Sequence, residues 1–281
     1  MKESNRMKKL VIGAIALIIA GAVCLGVGLA EGGDISYISI NYKTAKWWPF
    51  KHAELMSFRL GDISDEVDPF DSDYQSYTKE LKDVSALQVK VDLGDIQVIR
   101  GSRNLIKFYN MMEDAVDLQE ENGIVNLEID HPDMWSNHYD ERIVIELTDK
   151  EFDRIEVENK AGEIEIAGIR AQKFHIEAKV GDIELQDIES KDLYVEEKTG
   201  SIHIDGKLLG NSIIMNKLGE TDVNIRGKES DYHFDVSNKL GETTILGKDY
   251  DGSASVIRGN EKAPNFVKIE VKTGSVEVDV R

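Results

Sequence analysis

The sequence predicts an all-β protein: a β-solenoid of about 19–22-residue repeats over residues 85–281, preceded by one transmembrane helix. Two observations predict the solenoid. A glycine recurs at a nearly constant interval, and two columns of aliphatic residues keep fixed distances from it. A third observation, a long uncharged run close to the N-terminus, predicts the helix.

The repeat is marked by glycines that close a turn between two strands. They are Gly94, Gly162, Gly181, Gly200, Gly219, Gly241 and Gly274. Four of them, from Gly162 to Gly219, are spaced by 19 residues each, and the next gaps of 22 and 33 indicate short insertions. A constant period near 20 residues is typical of a solenoid, in which a repeat buries its apolar face only by stacking on its neighbours. An antiparallel sandwich of hairpins is the alternative, although it requires no constant period.

Two positions of the repeat are aliphatic in every copy. Five residues before each glycine stand Val89, Val157, Ile176, Val195, Ile214, Val236 and Ile269. Four residues after it stand Val98, Ile166, Leu185, Ile204, Val223, Ile245 and Val278. Polar and charged residues alternate with them, as expected for strands that bury one face. Each repeat is therefore predicted to be a strand, a glycine turn and a second strand, with both columns inside.

The stretch between Gly94 and Gly162 lacks the repeat's glycine. It contains strand-like segments around Phe108, at 125–129 and at 143–147. We expect these segments to form degenerate rungs that fill the gap between the two glycines.

The uncharged run covers residues 10–30, and 21 residues at about 1.5 Å each can span a hydrocarbon core of roughly 30 Å. Two lysines precede it, and Glu31 and Asp34 follow it. The positive-inside rule then predicts that residues 1–9 are cytoplasmic and that the C-terminal body lies outside the cell membrane as part of a single-pass protein.

Two alternatives for the N-terminal run stay open. The small residues Gly28 and Ala30 suit a cleaved signal peptide. Cys24 could be a lipidation site, although the preceding residues match a lipobox poorly. Residues 31–84 are predicted to be a juxtamembrane linker or a cap on the domain, with aromatic and basic residues between Lys46 and Lys51.

Charge and cysteine content exclude some functions. The chain carries a formal net charge of -19, and since residues 1–30 contribute +3, the remainder carries -22. A body this acidic is repelled by nucleic acid, so we expect no nucleic-acid partner. Cys24 is the only cysteine, which rules out an intramolecular disulfide and a cysteine metal cluster.

Lysine stands two residues before six of the seven glycines. The six are Lys160, Lys179, Lys198, Lys217, Lys239 and Lys272. Stacking would align their ammonium groups along one edge, with a rung spacing of about 4.8 Å. Acidic residues just after the glycines can offset this charge. The column is therefore either a solvated, charge-balanced edge or a locally positive stripe that attracts an anionic envelope polymer or the acidic segment of another envelope protein.

Two further groups of residues are candidate sites. His131 and His138, with Asp133, Asp140 and Glu141, could bind a divalent ion, but a polar loop fits their spacing better. Three asparagines precede their glycines by three residues, and a structural role as an asparagine ladder is expected for them: Asn159, Asn216 and Asn238. No cofactor or metal is expected.

The run from Ile155 to Gly206, with its repeated texture x-I-x-V-x-x-K-x-G-x-I-x-I, resembles the bacterial putative-adhesin β-strand-repeat family, a domain of unknown function in envelope proteins. The segment Asp83 to Asp130, with VKVDLGDIQVIRG, resembles that family's entry module. The resemblance covers roughly residues 85–281 and implies a surface-exposed binding protein or an envelope-stress accessory protein. It supplies no catalytic residues.

Enzyme motifs are missing from the sequence: it has no GxSxG, HExxH, GxGxxG or P-loop. We therefore expect a non-enzymatic binding or scaffold module anchored in the membrane. The alternative is a carbohydrate-active β-helix enzyme of the cell envelope, whose catalytic groups would come from several adjacent rungs. A clustered Asp/Arg/Lys groove would favour the enzyme, and an even charge ladder without a cleft would favour the scaffold.

Overall fold

The computed structural model describes residues 75–130 and 141–281, and this part of the chain is built from β-strands and two single-turn 3₁₀ helices. The first strands are β1 (Gln75–Glu80), β2 (Ala86–Val91), β3 (Asp95–Gly101), β4 (Leu105–Met111), β5 (Val116–Glu121), β6 (Ile124–Ile129) and β7 (Arg142–Thr148). The central strands are β8 (Glu151–Ala161), β9 (Ile164–Ala167), β10 (Arg170–Val180), β11 (Ile183–Glu197), β12 (Ile202–Leu218) and β13 (Thr221–Ile225). The last strands are β14 (Tyr232–Asn238), β15 (Glu242–Ile245), β16 (Lys248–Asp251), β17 (Ala254–Gly259), β18 (Asn265–Thr273) and β19 (Val276–Val280). The 3₁₀ helices are Glu113–Ala115 and Glu229–Asp231.

Each repeat forms one rung, which consists of a strand, a glycine turn and a second strand. The strands before the glycines stack on one another in parallel, and so do the strands after them. The pairing is in register, so that Val157, Ile176 and Val195 lie one above the other. Parallel stacking of this kind excludes the antiparallel sandwich and gives the solenoid-like arrangement that the period predicts.

The core of the stack consists of the two aliphatic columns. All fourteen predicted residues are at most 1% exposed. Fully burying one such side chain contributes about 1.5–3 kcal/mol before the entropy cost is subtracted. The prediction that both columns point inward is therefore confirmed.

The order of the rungs differs from their order along the chain. The Gly94 rung pairs directly with the Gly162 rung, through β2 with β8 and β3 with β9. Strands β6 and β7 pair with the opposite side of the Gly94 rung. Segments 125–129 and 143–147 therefore form a rung without the repeat's glycine, as expected, but this rung lies on the outer side of the Gly94 rung and not between the Gly94 and Gly162 rungs. Phe108 lies in β4, which runs antiparallel to β7.

The C-terminal rung is displaced in the same way. Strands β18 and β19, which flank Gly274, pair with β12 and β13 on one side and with β14 and β15 on the other. The rung that comes last in the chain is therefore inserted between the Gly219 and Gly241 rungs. Seen along the stack, the glycines follow the order Gly94, Gly162, Gly181, Gly200, Gly219, Gly274, Gly241.

Antiparallel strands close both ends of the stack. Strands β5, β4 and β1 lie at one end, and β16 and β17 pair with β15 and β14 at the other. Because the capping strands pair with only one side of their rung, the following part of the chain can pair with the other side, as β8 does with β2 and β18 with β14. Hairpin caps also restrict edge-to-edge association, since a bare parallel edge would offer a full row of unpaired backbone groups.

Strand β1 and the buried residues Leu81 and Val84 belong to this fold. The last part of the segment 31–84, predicted to be a linker or cap, thus extends the sheet. The predicted span at residues 10–30 lies outside the described residues. Within the described ranges, no helix has the length and apolar character needed to cross a membrane.

Candidate binding surfaces of the stack

The glycine turns stack so closely that they leave no space for a side chain. Gly200 has a φ of +150°, and a Cβ placed on it would lie 1.5 Å from the carbonyl oxygen of Gly181. The turns are joined by backbone hydrogen bonds, such as the one that Gly162 N–H donates to the Val180 carbonyl over 3.0 Å. Glycine is required here both for its backbone conformation and for the close approach of neighbouring rungs.

The stacked turns bring the six predicted lysines to one edge, which we call the lysine edge. Its order along the stack is Lys160, Lys179, Lys198, Lys217, Lys272, Lys239. Lys160 forms an ion pair with Asp92 at 2.5 Å, and Lys217 forms one with Glu196 at 2.7 Å. The other four lysines are exposed and have no ion pair within the described residues.

An apolar column that the sequence analysis missed runs beside the lysine edge. Val180, Leu218 and Leu240 stand directly before their glycines and are 55%, 50% and 63% exposed. They alternate along the stack with Thr199 and Thr273. The signal was present in the sequence as the recurring Lys-aliphatic-Gly triplet, but only the turn geometry shows that these side chains point outward.

A row of acids lies on the other side of the glycines, as the sequence suggested. It comprises Asp95, Glu163, Asp182, Glu220 and Glu242. Partial burial raises the pKa of Glu163, and the neighbouring Asp95 adds to the effect. The turn edge therefore presents three adjacent rows, which are cationic, mostly apolar and anionic.

A shallow groove of about 190 Å³ lies between the lysine edge and a parallel row of glutamates. The glutamates are Glu158, Glu177 and Glu196, on three successive rungs. Each already has a partner: Glu158 pairs with Lys90 at 3.1 Å, and Glu177 contacts His175 at 2.8 Å. These glutamates are therefore engaged with other partners, and they leave Lys179 and Lys198 without an ion pair in the described part of the chain.

The three asparagines make the same pair of hydrogen bonds in each rung. Asn216 is 1% exposed; its Oδ1 accepts the backbone N–H of Leu218 at 3.1 Å, and its Nδ2 donates to the carbonyl of Gly200 at 3.0 Å. Asn159 bonds in the same way to Ala161 N–H and the Gly94 carbonyl, and Asn238 to Leu240 N–H and the Gly274 carbonyl. Each asparagine therefore ties its own turn to the turn of a neighbouring rung.

Glu197 occupies the same position in the Gly200 rung, and sequence reasoning missed it. It is fully buried, and its Oε1 accepts the backbone N–H of Thr199 at 2.9 Å. Its other oxygen, Oε2, is buried without a hydrogen-bond partner. Burial raises the pKa of this carboxyl to about 7, although the Thr199 N–H acts in the opposite direction. A glutamate at an inward-facing position of the repeat was the signal in the sequence.

The corner opposite the turn edge carries a network of arginines and aspartates around a groove of about 340 Å³. Asp187 receives Arg226 at 2.6 Å from one side and Arg100 at 3.8 Å from the other. Arg100 lies over Gly168, where an added Cβ would come within 3.2 Å of it. The network continues through Arg170 with Asp149 at 3.0 Å and Arg281 with Asp205 at 2.6 Å.

The predicted loop with His131 and His138 lies outside the described residues. Glu141, at its end, is described and is 4% exposed. Within residues 75–130 and 141–281, no three histidine, cysteine or acidic side chains are grouped so that they could hold a metal ion.

The sequence profile of the Toastrack DUF4097 family matches residues 110–281, which is more than half of the chain and includes six of the seven glycine turns. The chain belongs to the Toastrack DUF4097 family. This agrees with the resemblance to adhesin-like β-strand-repeat proteins. The Toastrack match begins within the N-terminal cap and extends to the last residue.

Solved structures similar to this Toastrack chain include proteins named as adhesins and one named as a lipid binding protein. One is a putative cell adhesion protein from Clostridium sporogenes, with 15% identity, 74% of this chain and 100% of that chain covered, and a TM-score of 0.48. Another is a putative adhesin from Bacteroides fragilis, with 12% identity, coverage of 73% and 96%, and a TM-score of 0.32. A third is a putative lipid binding protein from Parabacteroides distasonis, with 12% identity, coverage of 74% and 97%, and a TM-score of 0.34. No curated protein matches the chain.

Proposed function

We propose that this Toastrack protein is a membrane-attached, extracytoplasmic binding module that holds an anionic envelope polymer, or the acidic segment of another envelope protein, at its lysine edge. The observation that carries the proposal is the row of exposed lysines, four of them without an ion pair in the described residues, on an otherwise acidic body. The exposed column of Val180, Leu218 and Leu240 beside it supplies apolar contact area.

The rigid spacing of the stack supports recognition of a repeating ligand. Neighbouring rungs place their lysines about 4.8 Å apart. A polymer with regularly spaced anionic groups can engage several of these lysines at once, so that weak individual contacts add up. Binding should weaken as salt is added, because the Debye length is only about 8 Å at physiological ionic strength.

The test replaces Lys179, Lys198 and Lys272 together by glutamine in the full chain. We expect an unchanged melting temperature, since these side chains are exposed. We also expect a clear loss of binding, at low salt, between the detergent-solubilised chain and an immobilised, membrane-free envelope polymer, an assay to which the run at residues 10–30 does not contribute. The matched control replaces Lys173, Lys191 and Lys207, which removes the same charge from elsewhere on the surface. Equal retention of envelope binding in both triple variants would refute the assignment to this edge.

Attachment and orientation are tested separately. The uncharged run at residues 10–30, with lysines before it and acids after it, supports a single-pass protein whose body lies outside the cell membrane. Protease added to intact, wall-stripped cells should then remove the body. Protection of the whole chain would refute the orientation, and a mature N-terminus at Glu31 would refute the anchor.

A carbohydrate-active enzyme is the second candidate, and the Arg–Asp groove at the opposite corner favours it. Its charged groups come from several adjacent rungs, as such an enzyme would require, but they are engaged with one another, as in the 2.6 Å pair of Arg226 with Asp187. The purified chain should be incubated with acidic polysaccharides and assayed for new reducing ends. Turnover that is lost in Arg226→Gln would establish the enzyme, and intact polysaccharide would exclude it for the substrates used.

A further inference from the structure

The turn column contains one carboxyl group at a position where other rungs use an amide. Its register is fixed: Glu197 pairs with Ala178 on β10 and with Asn216 on β12. Glu197 and Asn216 both stand three residues before their glycine, and each accepts the backbone N–H two residues further on. The two side chains therefore occupy equivalent positions in successive rungs.

The hydrogen bonds of the equivalent asparagines indicate which acceptor a protonated Glu197 Oε2 could use. Each asparagine amide donates to the glycine carbonyl of a neighbouring rung, as Asn216 does to Gly200. For Glu197 the corresponding acceptor is the carbonyl of Gly181, which points at the Gly200 turn. An ionised carboxylate can only accept hydrogen bonds, so its Oε2 and the Gly181 carbonyl would be two acceptors facing each other. A protonated carboxyl can instead donate its O–H to that carbonyl.

We propose that Glu197 is a proton-operated joint between the Gly181 and Gly200 rungs: when protonated it donates to the Gly181 carbonyl as asparagine does elsewhere, and when ionised it releases that bond and loosens the turn edge. The inference concerns the fold and does not depend on what the lysine edge binds. It does place the joint between Lys179 and Lys198, so a change in protonation would alter the spacing of the central part of that edge.

The surroundings favour a proton on Glu197 up to neutral pH. Burial raises its pKa to about 7, and the nearby Asp182 contributes in the same direction. Lys198, directly after β11, and Lys179 on β10 are exposed. The other charged groups beside it are already partnered: Glu177 on β10 contacts His175, and Glu196 pairs with Lys217 on β12. Within the described residues, no cation forms an ion pair with Glu197.

The sign of the pH effect follows from linkage. The carboxyl has a higher pKa in the folded state than the ordinary value of 4.5, so the folded state holds the proton more tightly than the unfolded chain. The stabilisation is complete below about pH 4.5 and is lost as the pH rises through about 7. Glu197→Gln should remove this dependence, because its amide donates at every pH.

The experiment compares the melting temperatures of the full chain and of Glu197→Gln at about pH 5 and about pH 8. We expect similar values at pH 5 and a parent value lower by about 5–10 °C at pH 8. The matched control is Glu196→Gln, which removes one charge at the adjacent, half-buried position. That variant should not flatten the pH dependence, because Lys217 lowers the pKa of Glu196.

Two further measurements separate this joint from a general effect of charge. The Glu197 carboxyl signal in a ¹³C NMR titration should move near pH 7. The protection factor of the Gly181 amide, whose N–H donates to the Thr199 carbonyl across the two rungs, should fall over the same range. Titration of Glu197 at the ordinary value of a glutamate would overturn the proposal. A Glu197→Gln variant whose advantage over the parent is the same at both pH values would also overturn it.

Discussion

The inserted position of the C-terminal rung makes a quantitative prediction for Ile269→Ala. Ile269 is fully buried and stacks between Ile214 of the Gly219 rung and Val236 of the Gly241 rung. The substitution removes three carbon atoms, worth about 0.8 kcal/mol each, and leaves a cavity between two rungs that cannot easily collapse. We therefore expect the free energy of unfolding to fall by about 2–5 kcal/mol.

The assay is urea unfolding of the full chain followed by circular dichroism, with Ile257→Ala as the matched control. Ile257 lies in the capping strand β17 and is 70% exposed, so its truncation should cost less than about 0.5 kcal/mol. If the rungs followed their order along the chain, Ile269 would lie in a terminal rung and its loss would be cheaper. A cost below about 1 kcal/mol for Ile269→Ala, or equal costs for both variants, would refute the inserted order.

Three other perturbations test the same framework. A chain that ends before Asn265 lacks β18 and β19, so the Gly219 and Gly241 rungs would lose the rung that lies between them. It should lose cooperative thermal unfolding and become protease-sensitive, and a sharp transition near the melting temperature of the parent would contradict this. Gly200→Ala should lower the free energy of unfolding, measured by chemical denaturation, by more than about 3 kcal/mol, because the new Cβ would lie 1.5 Å from the Gly181 oxygen. The control Gly252→Ala meets no atom within 4 Å, so it should cost only about 1–2 kcal/mol of backbone strain. Asn216→Asp should lower the free energy of unfolding by about 1–3 kcal/mol at neutral pH, because its carboxylate would face the Gly200 carbonyl. Stability should return in acid, where the protonated carboxyl can donate a hydrogen bond, and a loss that is independent of pH would argue against this geometry.

The candidate surfaces were predictable to different degrees. The lysine edge could be read from the sequence, because a residue type at a fixed distance from each glycine must align once the rungs stack in register. The exposed Val180, Leu218 and Leu240 could not, since an aliphatic residue next to a turn has no periodic signal that tells inward from outward. The pairing of Arg226 with Asp187 brings together residues from different rungs, so no local pattern reveals it.

The sequence by itself determined the structure of one rung. A period-two pattern and a glycine at each turn specify two strands with aliphatic residues such as Val195 inside, because burial and backbone conformation are local requirements. Only the tertiary structure decided which rungs are neighbours. All rungs present the same aliphatic profile, so several stacking orders bury similar apolar area. The capping hairpins at both ends select one of them, and they place the Gly94 and Gly274 rungs inside the stack. The protonation-sensitive environment of Glu197 also arises from that packing, because a carboxyl acquires an unusual pKa only where neighbouring rungs exclude water from it.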